Sequence, residues 1–200
     1  MFNKGWGLGF GAGLKGLTAQ VSYHFIPELS VRAELSGIRV EDLTLDIDFS
    51  GQTLRTIGNL DLLNTALVLD YFPNYEASSF HFFAGISYAF TNRMQGRGLY
   101  PEAVEYGELN FEGEEIGYVD VQILPAKWMP QFGVAFGRSR PKRRAGLRLE
   151  VGTYYWGAPK VQMEATRMLE NTAQEADKLE NNLSAYRWWP FLNLALNFRL

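Results

Sequence analysis

Leu29-Ser30-Val31-Arg32-Ala33-Glu34-Leu35-Ser36 alternates without a fault, with apolar side chains at odd positions and polar or charged ones at even positions. Successive residues of a strand point to opposite faces, so this octet forms a ribbon with one greasy and one polar side. The pattern recurs upstream, where Leu17, Ala19, Val21, Tyr23 and Phe25 oppose Thr18, Gln20, Ser22 and His24. Downstream, Phe80, Phe82, Ala84, Ile86, Tyr88 and Phe90 oppose His81, Phe83, Gly85, Ser87, Ala89 and Thr91. Leu147, Leu149, Val151 and Tyr155 oppose Arg148, Glu150, Gly152 and Tyr154, and the last segment sets Leu192, Leu194, Leu196 and Phe198 against Asn193, Ala195, Asn197 and Arg199.

The polar faces tell which side points inward. Arg32, Glu34, Asp70, Gln131, Arg148 and Glu150 fall among Gly85, Ala89, Gly133, Ala135 and Gly152. A solvated surface has no need of small residues, whereas the inside of a narrow barrel does. The expectation is therefore polar-in and apolar-out, the transmembrane β-barrel arrangement.

Eight segments carry the pattern, at about 5–12, 17–25, 29–41, 60–72, 79–97, 118–137, 145–164 and 186–200. They predict an all-β, eight-stranded antiparallel up-and-down barrel occupying 1–200 as one domain. An even strand number puts both termini on the periplasmic side. Connectors at 26–28, 73–78 and 138–144 are short, as periplasmic turns are; those at 42–59, 98–117 and 165–185 are long, as external loops are. The first external turn, at 14–16, is short. Within 165–185 the period changes: Leu169, Ala173, Ala176, Leu179 and Leu183 recur at helical spacing among acidic residues, which predicts one short amphipathic helix. Tyr23, Phe25, Tyr71, Phe80, Phe82, Phe136 and Phe198 fall near the periplasmic rim, and Tyr88, Phe90, Trp128, Tyr155, Trp156 and Trp188 near the external rim. Two such rings read as interfacial aromatic girdles.

Composition limits the alternatives. The chain has 200 residues, no cysteine and a net charge of -3, which removes disulfide or thiolate chemistry and any bulk electrostatic case for nucleic acid. No apolar run approaches the roughly 18 residues of a transmembrane helix. Met1 is taken as the start of a mature chain whose signal peptide has been removed.

The closing stretch Tyr186-Arg187-Trp188-Trp189-Pro190-Phe191-Leu192-Asn193-Leu194-Ala195-Leu196-Asn197-Phe198-Arg199-Leu200 resembles the last strand of small bacterial outer-membrane β-barrel proteins, which are largely uncharacterised. Leu29 to Leu35 with Arg32, Leu67-Val68-Leu69-Asp70-Tyr71-Phe72-Pro73, and Gly157-Ala158-Pro159-Lys160-Val161 ahead of the acidic insert match as well. The resemblance implies a bacterial outer-membrane protein, exported with a signal peptide and inserted by the barrel-assembly machinery. The chain departs from that family in ending on Leu200, with Phe198 on the same face.

Eight strands enclose a lumen just wide enough for side chains to fill it. Arg32, Glu34, Asp70, Arg148 and Glu150 are the expected members of a lumen charge network, because an unpaired ion there would be costly. The only histidines, His24 and His81, fall near periplasmic strand ends, away from the external leaflet where lipid-modifying barrels act. No catalytic set, cofactor motif or metal-ligand spacing emerges, so neither enzyme site nor cofactor is expected. Two charge clusters remain: Arg138, Arg140, Lys142, Arg143 and Arg144 in one periplasmic turn, and Glu102, Glu105, Glu108, Glu112, Glu114 and Glu115 in one external loop. The first suits a periplasmic protein, the second cation-bridged lipopolysaccharide; both also read as solvated connectors. The sequence thus points to a non-enzymatic outer-membrane barrel, structural or partner-binding, in contact with lipid and lipopolysaccharide. A lipid-modifying barrel enzyme and a soluble calyx with an apolar ligand are the alternatives.

Overall fold

A computed structural model describes residues 4–49, 52–99, 104–106, 109–111 and 117–200. Eight strand positions close into a ring. β1 (Gly5–Gly13), β2 (Gly16–Ile26), β3 (Leu29–Phe49), β4 (Gln52–Tyr71) and β5 (Phe80–Leu99) pair in sequence. Beyond β6 (Val104–Tyr106) and β7 (Leu109–Phe111), which pair only with each other, β8 (Tyr118–Leu124) and β9 (Trp128–Phe136) share the sixth position. β10 (Ala145–Tyr155) and β11 (Lys160–Ala165) share the seventh, and β12 (Trp188–Arg199) closes the ring between β10 and β1. All these pairings are antiparallel. Lys4, just before β1, and Leu200 lie at the end where 27–28, 72–79 and 137–144 turn; we call this the lower end.

The facing is settled by burial. Arg32, Glu34, Asp70, Arg148 and Glu150 are buried, while Leu35, Leu67, Leu69, Leu147, Val151, Leu192, Leu194 and Leu196 are exposed. A calyx would show the reverse, so the polar-in reading holds and the calyx reading does not.

Three expectations need correction. The interval 42–59 is not a long loop, because β3 runs to Phe49 and β4 begins at Gln52. The ladder continues past a bulge between Val40 and Leu43, where Asp42 takes φ 55, a conformation that Asp tolerates better than most residues. The segments 118–137 and 145–164 are not continuous strands either. Each breaks at one level, at 125–127 and at 156–159, where Pro125 and Pro159 cannot donate to a ladder. Finally, Trp156 is not on the outer aromatic rim: it is buried, and its Nε1 donates to the Tyr186 carbonyl at 2.8 Å.

The extra strand length builds a wall above the barrel, formed by β3, β4, β5, β8 and β11, with its faces exchanged. Up to Leu63, the outward side of β4 is Tyr71, Leu69, Leu67, Thr65 and Leu63. Above that level it carries Asp61 and Asn59, which pair with Arg93 and Gln95, while Leu62, Leu60 and Met94 turn inward. Ile38 and Val40 face the same way as Leu62 and Leu60, and Ile123 the same way as Met94. Arg97 on the outer face makes a two-pronged pair with Asp120 at 2.6 and 2.7 Å, and this hydrogen-bonded carboxylate raises the Arg97 guanidinium above its ordinary value. An apolar exterior below and a polar exterior above mark where hydrocarbon gives way to water. A cleft of about 530 Å³ lies on this wall, between Asp42, Asn59, Gln95, Arg97, Asp120 and Glu164.

The insert folds as a 3-10 segment (Arg167–Glu175) followed by helix α1 (Ala176–Leu183). Glu180 of α1 accepts a hydrogen bond from the Val161 amide at 3.0 Å, which covers the open edge of β11. Of the acidic loop, Glu105 falls in β6, whereas Glu102, Glu108, Glu112, Glu114 and Glu115 lie outside the described residues.

Candidate functional site in the lumen

The lumen is built by strand parity. Register places Arg32 beside Ser22 and Val68, Glu34 beside Gln20 and Ala66, Asp70 beside Phe83, and Arg148 and Glu150 on β10 beside Ala195 and Asn193. Their side chains converge. Arg32 contacts Glu34 at 2.5 Å, Glu150 at 2.7 Å and Asp70 at 3.2 Å. Arg148 contacts Glu150 at 2.8 Å and lies 3.7 Å from Asp70. Gln20 Oε1 accepts from both guanidinium groups, at 3.0 Å from Arg32 and 2.6 Å from Arg148. Gln20 Nε2 donates to Asn197 at 2.5 Å, and Asn193 donates to Glu150 at 3.3 Å.

A sixth ion was not foreseen. Lys15 sits in the tight turn between β1 and β2, yet it is buried, paired with Glu34 and 3.8 Å from Glu150. Its neighbour Leu14 points outward. Gly16 at φ 84 permits this, since the left-handed conformation is open to glycine and a Cβ there would strike the Gly37 carbonyl. A lysine in a two-residue turn ordinarily reads as solvated. The signal was arithmetic: two arginines against three carboxylates leaves one negative charge without a partner. With Lys15 the buried set balances at three and three.

Two aromatic layers bracket the ions. Above them Phe83 and Phe191 lie 6.0 Å apart, Tyr154 is 4.8 Å from Phe191, and Trp156 is 4.8 Å from Trp189. The Lys15 ammonium lies 4.5 Å from the Phe191 ring centre, a cation–π distance. Glycines make the space: a Cβ on Gly133 or Gly152 would come within 2.7 Å of the Phe83 ring. Below the ions, buried Phe72 stacks on His81 at 4.2 Å and lies 5.2 Å from His24. Arg138 caps this layer, 4.1 Å from the Tyr75 ring and donating to the Tyr75 carbonyl and to the Ser78 carbonyl. Both histidines are therefore walled in at the lower end, with His81 Nε2 4.0 Å from Asp70.

The outward aromatics group at two levels. Phe80, Phe82 and Phe136 meet near the lower end, at 5.1 and 5.2 Å from Phe80, and Trp6 meets Tyr23 at 4.8 Å. Phe25, Tyr71 and Phe198 lie at the same strand ends. Near the upper end Tyr88 meets Phe90 at 5.4 Å and Trp128 at 4.8 Å, while Tyr155 meets Trp188 at 4.8 Å.

No protein-family model matches the chain, and no curated protein matches it in sequence. Solved structures do. The chain is similar to CarO of Acinetobacter baumannii, with a TM-score of 0.69 at 20% identity and 97% of each chain covered. It is similar to CarO2 of the same organism, with a TM-score of 0.72 at 18% identity and 100% of each chain covered. A major outer membrane protein from Thermus thermophilus gives a TM-score of 0.52 at 14% identity, again over 100% of both chains. What is shared at these identities is the fold, that of small outer-membrane barrels.

Proposed function

We propose that this chain is an integral outer-membrane barrel whose lumen is shut by a charge-balanced plug, serving the envelope as a non-enzymatic scaffold. The observation that carries this reading is the buried six-ion set of Lys15, Arg32, Arg148, Glu34, Asp70 and Glu150. Each ion has a partner, and separating any one exposes two charges to a low-dielectric interior, at a cost of several kcal/mol. A water column along the axis would have to break several such contacts and displace both aromatic layers. The polar-faced wall then supplies the surface offered to the exterior, which supports contact with lipopolysaccharide or a surface partner.

Planar-bilayer recording on the refolded chain tests the plug. The reading expects no steady conductance from wild type and intermittent openings when Lys15 is replaced by alanine, which removes the lumen ion carried by a turn. Large, ohmic, steady conductance from wild type would overturn it.

A further inference from the structure

Charge is sorted along the barrel axis. The lower turns and strand ends carry seven Lys and Arg against Glu28 and Glu76, and the lumen holds three of each sign. The rest of the sequence then has nine Lys and Arg against seventeen Asp and Glu. The basic excess is also concentrated on one side of the rim. Lys4 precedes β1, Lys142, Arg143 and Arg144 belong to the turn between β9 and β10, and Arg199 ends β12; all five are exposed. Strands β10, β12 and β1 are neighbours in the ring, so these residues form one arc, while Glu28 and Glu76 sit in the other two turns.

The arc is held in place. Arg138 and Arg140 of the same turn are buried and anchor it, Pro141 packs where a Cβ on Gly146 would come within 3.0 Å, and Arg199 donates to the Lys142 carbonyl at 3.2 Å. Lys142 Nζ donates to the Glu76 carbonyl at 3.1 Å. Arg143 and Arg144 make no side-chain hydrogen bond or ion pair among the described residues. Directly above the arc the outward surface is apolar: Leu147, Phe136, Phe198 and Trp6 are all exposed. Leu147 is three residues from Arg144, about 10 Å along the strand, so the cations stand just beyond the edge of the apolar belt.

We infer that this arc binds the headgroups of anionic phospholipid in the inner leaflet of the outer membrane. The inference rests on the membrane reading above. The apolar belt fixes the depth of the bilayer, and the cations stand where the phosphates of that leaflet lie. Unpartnered guanidinium groups suit bidentate phosphate contacts. The same arc biases the barrel toward keeping this end on the leaflet that supplies such lipid.

The test uses the refolded full chain in phosphatidylcholine vesicles with and without phosphatidylglycerol, followed by extraction and mass spectrometry of lipid retained on the barrel. Wild type should retain phosphatidylglycerol over phosphatidylcholine, and salt should weaken the preference. Replacing Lys142, Arg143 and Arg144 together by glutamine should lower the preference by at least about tenfold, given the attraction each cation contributes near a charged bilayer. The matched triple Arg39→Gln, Arg93→Gln, Lys160→Gln, on the upper outer surface, should leave it unchanged. An equal preference in both triples, or none in wild type, overturns the inference. So does binding of a protein from an added periplasmic extract that the Lys142, Arg143, Arg144 triple loses with lipid retention unaltered, since the turn is then a protein contact. A folded, heat-modifiable band without lipid preference sinks this inference alone; failure to insert into either vesicle sinks the membrane reading as well.

Discussion

Arg32→Met removes the hub of the lumen network. Methionine keeps most of the stem's volume but leaves Glu34, Glu150 and Asp70 without contacts of 2.5, 2.7 and 3.2 Å, and Gln20 without a donor at 3.0 Å. Three buried carboxylates then face only Lys15 and Arg148. Stranding buried charge in this way costs about 3–5 kcal/mol, which moves the folding equilibrium by roughly two to four orders of magnitude. The double variant Arg32→Met, Glu34→Met restores a balance of two against two. It should recover at least about half of the loss, because replacing both members of a buried pair by apolar groups is often nearly neutral. Urea titration of the folded, heat-modifiable band in lipid vesicles measures both. A cost below about 1 kcal/mol for the single variant would refute the reasoning, as would a double variant that costs the sum of the two singles.

Facing gives a depth-dependent prediction: Leu67→Arg, in the middle of the exposed apolar belt, should cost about 2–4 kcal/mol, whereas Asn59→Arg, on the polar outer face of the wall, should cost near zero by the same titration. Glycine spacing gives another. Gly133→Ala places a Cβ 2.2 Å from the Val151 carbonyl and 2.7 Å from Phe83, so a loss of about 1–3 kcal/mol is expected, while Gly96→Ala meets nothing within 4 Å and should be neutral. Removing the cap also has a measurable result: Arg138→Ala leaves the Tyr75 and Ser78 carbonyls without their donor, and hydrogen exchange at 75–79 should accelerate while exchange in β12 stays slow.

Much of the barrel could be read from the chain because alternation is a local signal, and a polar face crowded with Gly85, Gly133 and Gly152 has only one comfortable place. The wall was harder to read, although Leu43, Leu45, Ile47 and Phe49 do alternate. Their interruption at Val40, Glu41 and Asp42 is a bulge, and a bulge looks like a loop until the partner strand is known. The break near Pro159 was hidden for the opposite reason, since Val161 and Met163 continue the odd-numbered apolar set of Leu147, Leu149 and Val151, whereas near Pro125 the apolar set does change phase, from Val119, Val121 and Ile123 to Phe132, Val134 and Phe136. Trp156 misled because its level near the upper rim was weighed over its parity: it continues the inward set of Arg148, Glu150, Gly152 and Tyr154 and packs on Trp189. Five members of the ion cluster came from period-two positions, whereas Lys15 came from a turn, where no periodicity applies and only charge balance pointed to it.

The chain has no cysteine, so single cysteines can be placed and labelled without background. Fluorophores at Leu67→Cys, Leu194→Cys, Asp61→Cys and Gln95→Cys, in vesicles carrying nitroxide on the lipid acyl chains, test most directly which surface meets hydrocarbon. Strong quenching at 67 and 194 with little at 61 and 95 is the predicted result. Equal quenching at all four positions, or quenching only at 61 and 95, would contradict it.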